Sequence, residues 1–101
     1  MVGSPVFASL NSHRGHTLSR RDDMESLGYV LVYLVRGQLP WQRFSTAAKD
    51  LIFVKKSTIT IEDLCGGLEP LCNYFRSVKQ LAFGQEPDYD GLRRVLRALV
   101  M

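Results

Sequence analysis

The sequence predicts an all-α fold of about five helices. One observation is a stretch at residues 24–35 that is apolar on every side except at Glu25, Ser26 and Gly28. Another is the recurrence of Leu71, Cys72, Phe75, Val78 and Ala82, and then of Leu92, Val95, Leu96 and Leu99, at helical spacing. The third is the lack of any sustained two-residue alternation. Only residues 2–9 alternate a little, and Gly3, Ser4 and Pro5 there favour an extended loop.

The elements follow in order. Asp22 can cap the first long helix, and Glu25, three residues on, has the spacing of a capping box. A helix apolar all round has to be surrounded by protein. Gly37 ends it and Pro40 prevents its continuation. After a loop around Trp41, Ser45 or Thr46 can cap a segment reaching about Val54, with Ala47, Ala48, Leu51 and Ile52 as its apolar residues. Thr60 can cap a short turn carrying Ile61, Leu64 and Cys65, which Gly66 and Gly67 stop. Pro70 suits the first turn of the next helix. Asp88 caps the last one, which turns its leucines and valine inward and Arg93, Arg94 and Arg97 outward.

Composition bounds the rest. The 101 residues suffice for one small core, and 46% hydrophobic with 23% charged residues describes a globular chain. No apolar run approaches the roughly 20 residues of a membrane span, and the start lacks the basic-then-apolar order of a signal peptide. The expectation is therefore a cytoplasmic or nuclear protein without a membrane partner. Cys65 and Cys72 have neither a second cysteine pair nor suitably spaced histidines beside them, so buried free thiols are expected. His13 and His16 form a His-x-x-His pair, but two ligands alone make a poor metal site. Trp41, Tyr74, Phe75 and Phe83 read as packing, and Tyr89 as an anchor between the last two helices.

Four segments carry a resemblance. They are Gly3-Ser4-Pro5-Val6-Phe7-Ala8-Ser9-Leu10-Asn11-Ser12-His13-Arg14-Gly15, Ser19-Arg20-Arg21-Asp22-Asp23-Met24-Glu25-Ser26-Leu27-Gly28-Tyr29, Leu39-Pro40-Trp41-Gln42, and Pro87-Asp88-Tyr89 with Leu92-Arg93. In order and spacing they resemble the lower part of the large lobe of casein kinase 1-type serine/threonine protein kinases. The match covers nearly the whole chain and is weaker and shortened over residues 45–59. Tau-tubulin and vaccinia-related kinases share part of the pattern and match the second segment less well.

The resemblance implies a partial kinase domain over residues 1–101, from the end of the activation segment to the last helix of the large lobe, without an N-terminal lobe. The parent activity would be phosphoryl transfer from ATP, with magnesium, to Ser or Thr of acidic or already phosphorylated proteins. This chain has no Gly-x-Gly-x-x-Gly, His-Arg-Asp or Asp-Phe-Gly. It is therefore expected to hold no cofactor and to be inactive alone. Asp23 matches the aspartate that in the family holds the backbone of the catalytic loop, with Asp22 beside it. With that loop missing, Asp23 should keep open hydrogen-bonding capacity, or both residues only cap and solvate the helix start.

Candidate substrate or anion contacts are Ser4, Arg14, Arg20, Arg21, Arg43 and Lys49, in a basic run that also includes His13 and His16. The family's Arg is replaced by Val6, its Thr by Ser4, and the Gly after Pro-Trp-Gln by Arg43; Lys49 is the nearest lysine to the family's position. An ordinary solvated basic face explains the same residues, the formal charge being only +3.

Two other classes fit a small basic helical chain. An interaction module built on a kinase-lobe remnant would bind the rest of the lobe, an acidic or phosphorylated protein, or a second copy through uncovered apolar surface. A helix-turn-helix DNA binder would use the calculated pI of about 9.1. The division of positive residues between the N-terminal loop and the last helix argues against nucleic acid.

Overall fold

The computed structural model describes residues 5–45, 47–81 and 84–100. Among them are six α-helices and no strand: α1 (Leu10–His13), α2 (Arg20–Arg36), α3 (Lys49–Thr58), α4 (Ile61–Cys65), α5 (Glu69–Lys79) and α6 (Tyr89–Val100). The all-α expectation of about five helices therefore holds. The additional element is α1, a single turn capped by the Ser9 hydroxyl, which accepts the Ser12 N–H at 3.1 Å.

α2 organises the rest and starts earlier than expected. Ser19, not Asp22, is its N-cap, and the Asp22 carboxylate accepts the Ser19 N–H at 2.9 Å. The capping box is thus Ser19 to Asp22, which frees Glu25 for another task. Gly37 ends the helix with φ 83° and gives its N–H to the Tyr33 carbonyl. α2 packs chiefly against α5. Gly28 allows this approach, because a Cβ there would lie 2.7 Å from the Phe75 ring. The expectation of protein on every side is corrected. Tyr33, Leu34 and Val35 in the last turn are exposed, Leu34 by 70%, although Arg36 beside them donates to the Asp63 and Leu64 carbonyls of α4.

The loop after α2 supplies a core plug. The Gln42 side chain accepts the Leu39 N–H, and both Leu39 and Trp41 are buried. The Trp41 ring meets Tyr29 edge-on at 5.0 Å and its Nε1 donates to the Val6 carbonyl at 2.7 Å. Trp41 is therefore packing, as its position beside the buried helix suggested.

α3 begins and ends later than its sequence reading. Ser45 closes a turn, its carbonyl taking the Ala48 N–H and its hydroxyl the Ala47 N–H, and Ala48 is the N-cap. Thr46 lies outside the described residues. The shifted helix buries Ile52 and Lys56 and leaves Leu51 and Val54 exposed, so of the apolar residues named for this segment Ile52 is the buried one.

The second half follows its punctuation closely. The Thr60 hydroxyl caps α4 by accepting the Asp63 N–H, and Gly66 with φ 61° stops it. α5 has Pro70 in its first turn and buries Leu71, Cys72, Tyr74, Phe75 and Val78. Ala82 and Phe83 lie outside the described residues. Asp88 holds the start of α6 by accepting the Gly91 N–H at 2.9 Å. Leu92, Val95, Leu96 and Leu99 lean on the core while Arg93, Arg94 and Arg97 stay exposed. Tyr89, at the start of α6, is 41% exposed. Cys65 and Cys72 are buried free thiols, and burial together with the neighbouring Cys72 pushes the Cys65 thiol up to about 12. Among the described residues no helix is long and apolar enough to cross a membrane.

Candidate functional site

Polar side chains converge where α1 meets the first turns of α2 and the C-terminal half of α3. On the α2 side, Asp22 is 2% exposed and takes two neutral donors, the Ser19 N–H and, at 3.0 Å, the Asn11 side-chain amide. One turn on, a single Glu25 oxygen accepts the Leu10 N–H at 2.7 Å and the Tyr29 hydroxyl at 2.6 Å. These contacts are the new task of Glu25. Both carboxylates tie α1 to α2, and charge-assisted bonds of this length are stronger than neutral ones.

On the α3 side sits Lys56. An ammonium has three N–H donors, and here all three have acceptors. Nζ lies 2.6 Å from the Pro5 carbonyl, 2.6 Å from the Ala8 carbonyl and 3.0 Å from His13 Nε2. The rings of Tyr29 and Trp41 flank it at 5.1 and 5.3 Å, within cation–π range. Burial lowers the Lys56 ammonium to about 8, and the Glu25 charge opposes that fall. His13 is likewise held below its ordinary value, first by burial and then by the Lys56 charge, with Lys49 adding to the fall and a bond to the Pro5 carbonyl opposing it. Neutral His13 is therefore an acceptor for Lys56. The His13 ring also packs against Phe53 at 5.7 Å.

Beside this cluster lies a cleft of about 350 Å³ between α1, α2 and α5, with Asn11, Arg14, Arg21, Asp22 and Lys79 among its polar lining and Ile61 and Phe75 in its apolar part. The Tyr29 hydroxyl is raised far above the usual phenol value by burial, with Glu25 adding to the effect, so it serves as a fixed donor and not as a proton carrier.

The residues singled out in the sequence separate. Asp22 is buried and bonded, whereas Asp23 is exposed and no group among the described residues donates to it. Ser4 lies outside the described residues. Val6 packs against the core and its carbonyl serves Trp41. Arg14 lies over the Phe53 ring at 5.4 Å, and Arg43 over Phe44 at 5.1 Å. Arg20 makes an exposed ion pair with Glu86 at 3.8 Å, and Arg21 donates to the Leu81 carbonyl at 3.4 Å. Lys49 is exposed and close enough to His13 to act on its charge. Lys49 thus lies by His13 and Arg14 over Phe53, Arg14 and Arg21 both line the cleft, and Arg20 and Arg43 are engaged elsewhere. Among the described residues no three His, Cys, Asp or Glu side chains form a metal-sized group.

Lys56 is the residue that sequence reasoning missed. Its signal was the spacing from Ile52, which places it one turn on along the same face. A lysine on an apolar face reads as solvated until its acceptors, dozens of residues away, are known. No family model matches the chain.

Proposed function

We propose that this chain is the helical base of a casein kinase 1-type large lobe, a fragment or remnant that works by docking and has no catalysis of its own. The observation that supports this reading most directly is the division of labour between two adjacent aspartates. Asp22 is consumed inside the fold, while Asp23 presents a carboxylate with no donor among the described residues. A carboxylate at this helical start is suited to receive backbone N–H groups from a segment supplied by another chain or another part of the same protein. In the parent family that segment is the catalytic loop, and ATP and magnesium bind with the parts that this sequence lacks. A cytoplasmic or nuclear location goes with this reading.

The test is complementation. A separate polypeptide carrying the N-terminal lobe and catalytic loop of a casein kinase 1-type enzyme is titrated into this chain by calorimetry. Association is expected, and D23A should weaken it by about tenfold or more, the value of one charge-assisted hydrogen bond. No association would sink the family reading. The chain alone should transfer no phosphate from magnesium-ATP to an acidic peptide, and measurable turnover would sink its inactivity.

Exposed Tyr33, Leu34 and Val35 favour a second, compatible reading, an interaction module whose apolar patch is covered by a partner or another copy. Light scattering across protein concentration distinguishes self-association from a separate partner.

A further inference from the structure

We propose that His13 is the proton-sensitive catch of a latch that holds the last turn of α1, and the basic turn after it, against α3. The catch is the 3.0 Å contact between His13 Nε2 and the Lys56 ammonium. It requires a neutral imidazole with Nε2 unprotonated, because an ammonium has only donors to offer. Protonation turns Nε2 into a second donor facing a cation at the same distance. Attraction becomes repulsion, and an acceptor for Lys56 disappears.

The surroundings decide which group moves. Lys56 is buried and keeps two carbonyls, Pro5 and Ala8, so it stays in place. His13 is only partly buried and sits at the C-terminal end of a four-residue helix. The bonds from Leu10 to Glu25 and from Asn11 to Asp22 hold the other end of α1 to α2 and do not depend on His13. The release is therefore local. The imidazolium gives up its bond to the Pro5 carbonyl and swings to solvent, taking Arg14 off the Phe53 ring and loosening the turn in which the His16 N–H donates to the Asn11 carbonyl.

The cations that face His13 oppose its protonation, and the Pro5 carbonyl, which accepts from the imidazole, favours it. From α3, Lys49 and Lys56 both oppose its protonation, while Arg14, the residue after α1, lies over the shared Phe53 ring. From α2, Glu25 acts on Lys56 and is engaged by Leu10 and Tyr29. Acidification thus exposes Phe53 and presents Arg14 and His16 as a mobile basic segment, a change of surface set by pH.

The experiment uses the intact chain between pH 7.5 and 5.0. Histidine NMR titration should show His13 as neutral at pH 7, with a midpoint below 6.5, and loss of its ring contacts to Phe53 on protonation. Over the same range, the intrinsic-rate-corrected amide exchange of His13, Arg14 and His16 should accelerate about tenfold or more, as expected when an opening is coupled to one unit of proton affinity. H13Q, which keeps an acceptor but does not titrate, should abolish the acceleration, and H16N should leave it unchanged. Retained Phe53 contacts in the protonated wild-type chain would overturn the proposal even if H13Q failed to fold. The same acceleration in H13Q, or its loss in H16N, would overturn it as well.

Discussion

Glu25 and Tyr29, one turn apart on α2, are joined by a 2.6 Å hydrogen bond whose acceptor oxygen also takes the Leu10 N–H from α1. The pair converts a helix-internal spacing into a tertiary tie. Tyr29 in turn packs against Trp41 and Phe75, so the tie is anchored in the core.

Removing either partner should therefore cost unequal amounts. E25A leaves a buried hydroxyl and a backbone N–H without their acceptor and should destabilise by about 1–3 kcal/mol, whereas Y29F removes one donor and should cost about 0.5–1.5 kcal/mol. Urea denaturation of the two variants and the double mutant measures both. Equal losses would show that the Leu10 N–H is not part of the tie.

Gly28 should not tolerate even a methyl group. Its Cβ would lie 2.7 Å from two Phe75 ring atoms and 3.0 Å from Tyr74, both rings being buried. Alanine gains up to about 1 kcal/mol in helix propensity. Overpacking of a filled core typically costs about 1–3 kcal/mol, so the clash should win by a small margin. G28A is expected to lower the thermal midpoint by several degrees, at about 4–8 °C per kcal/mol for a domain of this size. An unchanged or higher midpoint would mean that α2 and α5 separate without cost.

Lys56 should make stability depend on pH above neutrality. Its folded value of about 8 lies below the ordinary 10.5, mainly through burial. Between those values the unfolded chain binds the proton that the folded chain has released, so stability rises with pH. Well below that folded value the cost of burying the charge is present in full. The denaturant midpoint should climb from about pH 7 to about 8, below the range where the thiol of Cys65, pushed up to about 12 in the fold, would ionise in the unfolded chain and lower stability. K56M should remove the slope, and a wild-type midpoint that stays flat or falls would contradict the buried position.

The parts of the fold legible in the sequence are those set by neighbouring residues. Gly37, Thr60, Gly66, Pro70 and Asp88 act within one turn of their own position, and each lies where its backbone preference placed it. Ser19 escaped notice because Asp22 is an equally good cap and only the backbone geometry separates them. The register of α3 was missed for a similar reason. Ser45 satisfies nearby N–H groups in a turn, and that alternative competes with helix initiation.

The sequence by itself determined an all-helical chain, the apolar stripe of α5, the two faces of α6 and the pairing of a charged start with an apolar body in α2. Only the tertiary structure decided which aspartate is buried, where Glu25 points and why Lys56 is inside. Capping and periodicity are short-range and can be read along the chain. The fate of a charge is long-range: Lys56 meets the Pro5 carbonyl across 51 residues and His13 across 43, and nothing near Lys56 in sequence shows that those acceptors will surround it.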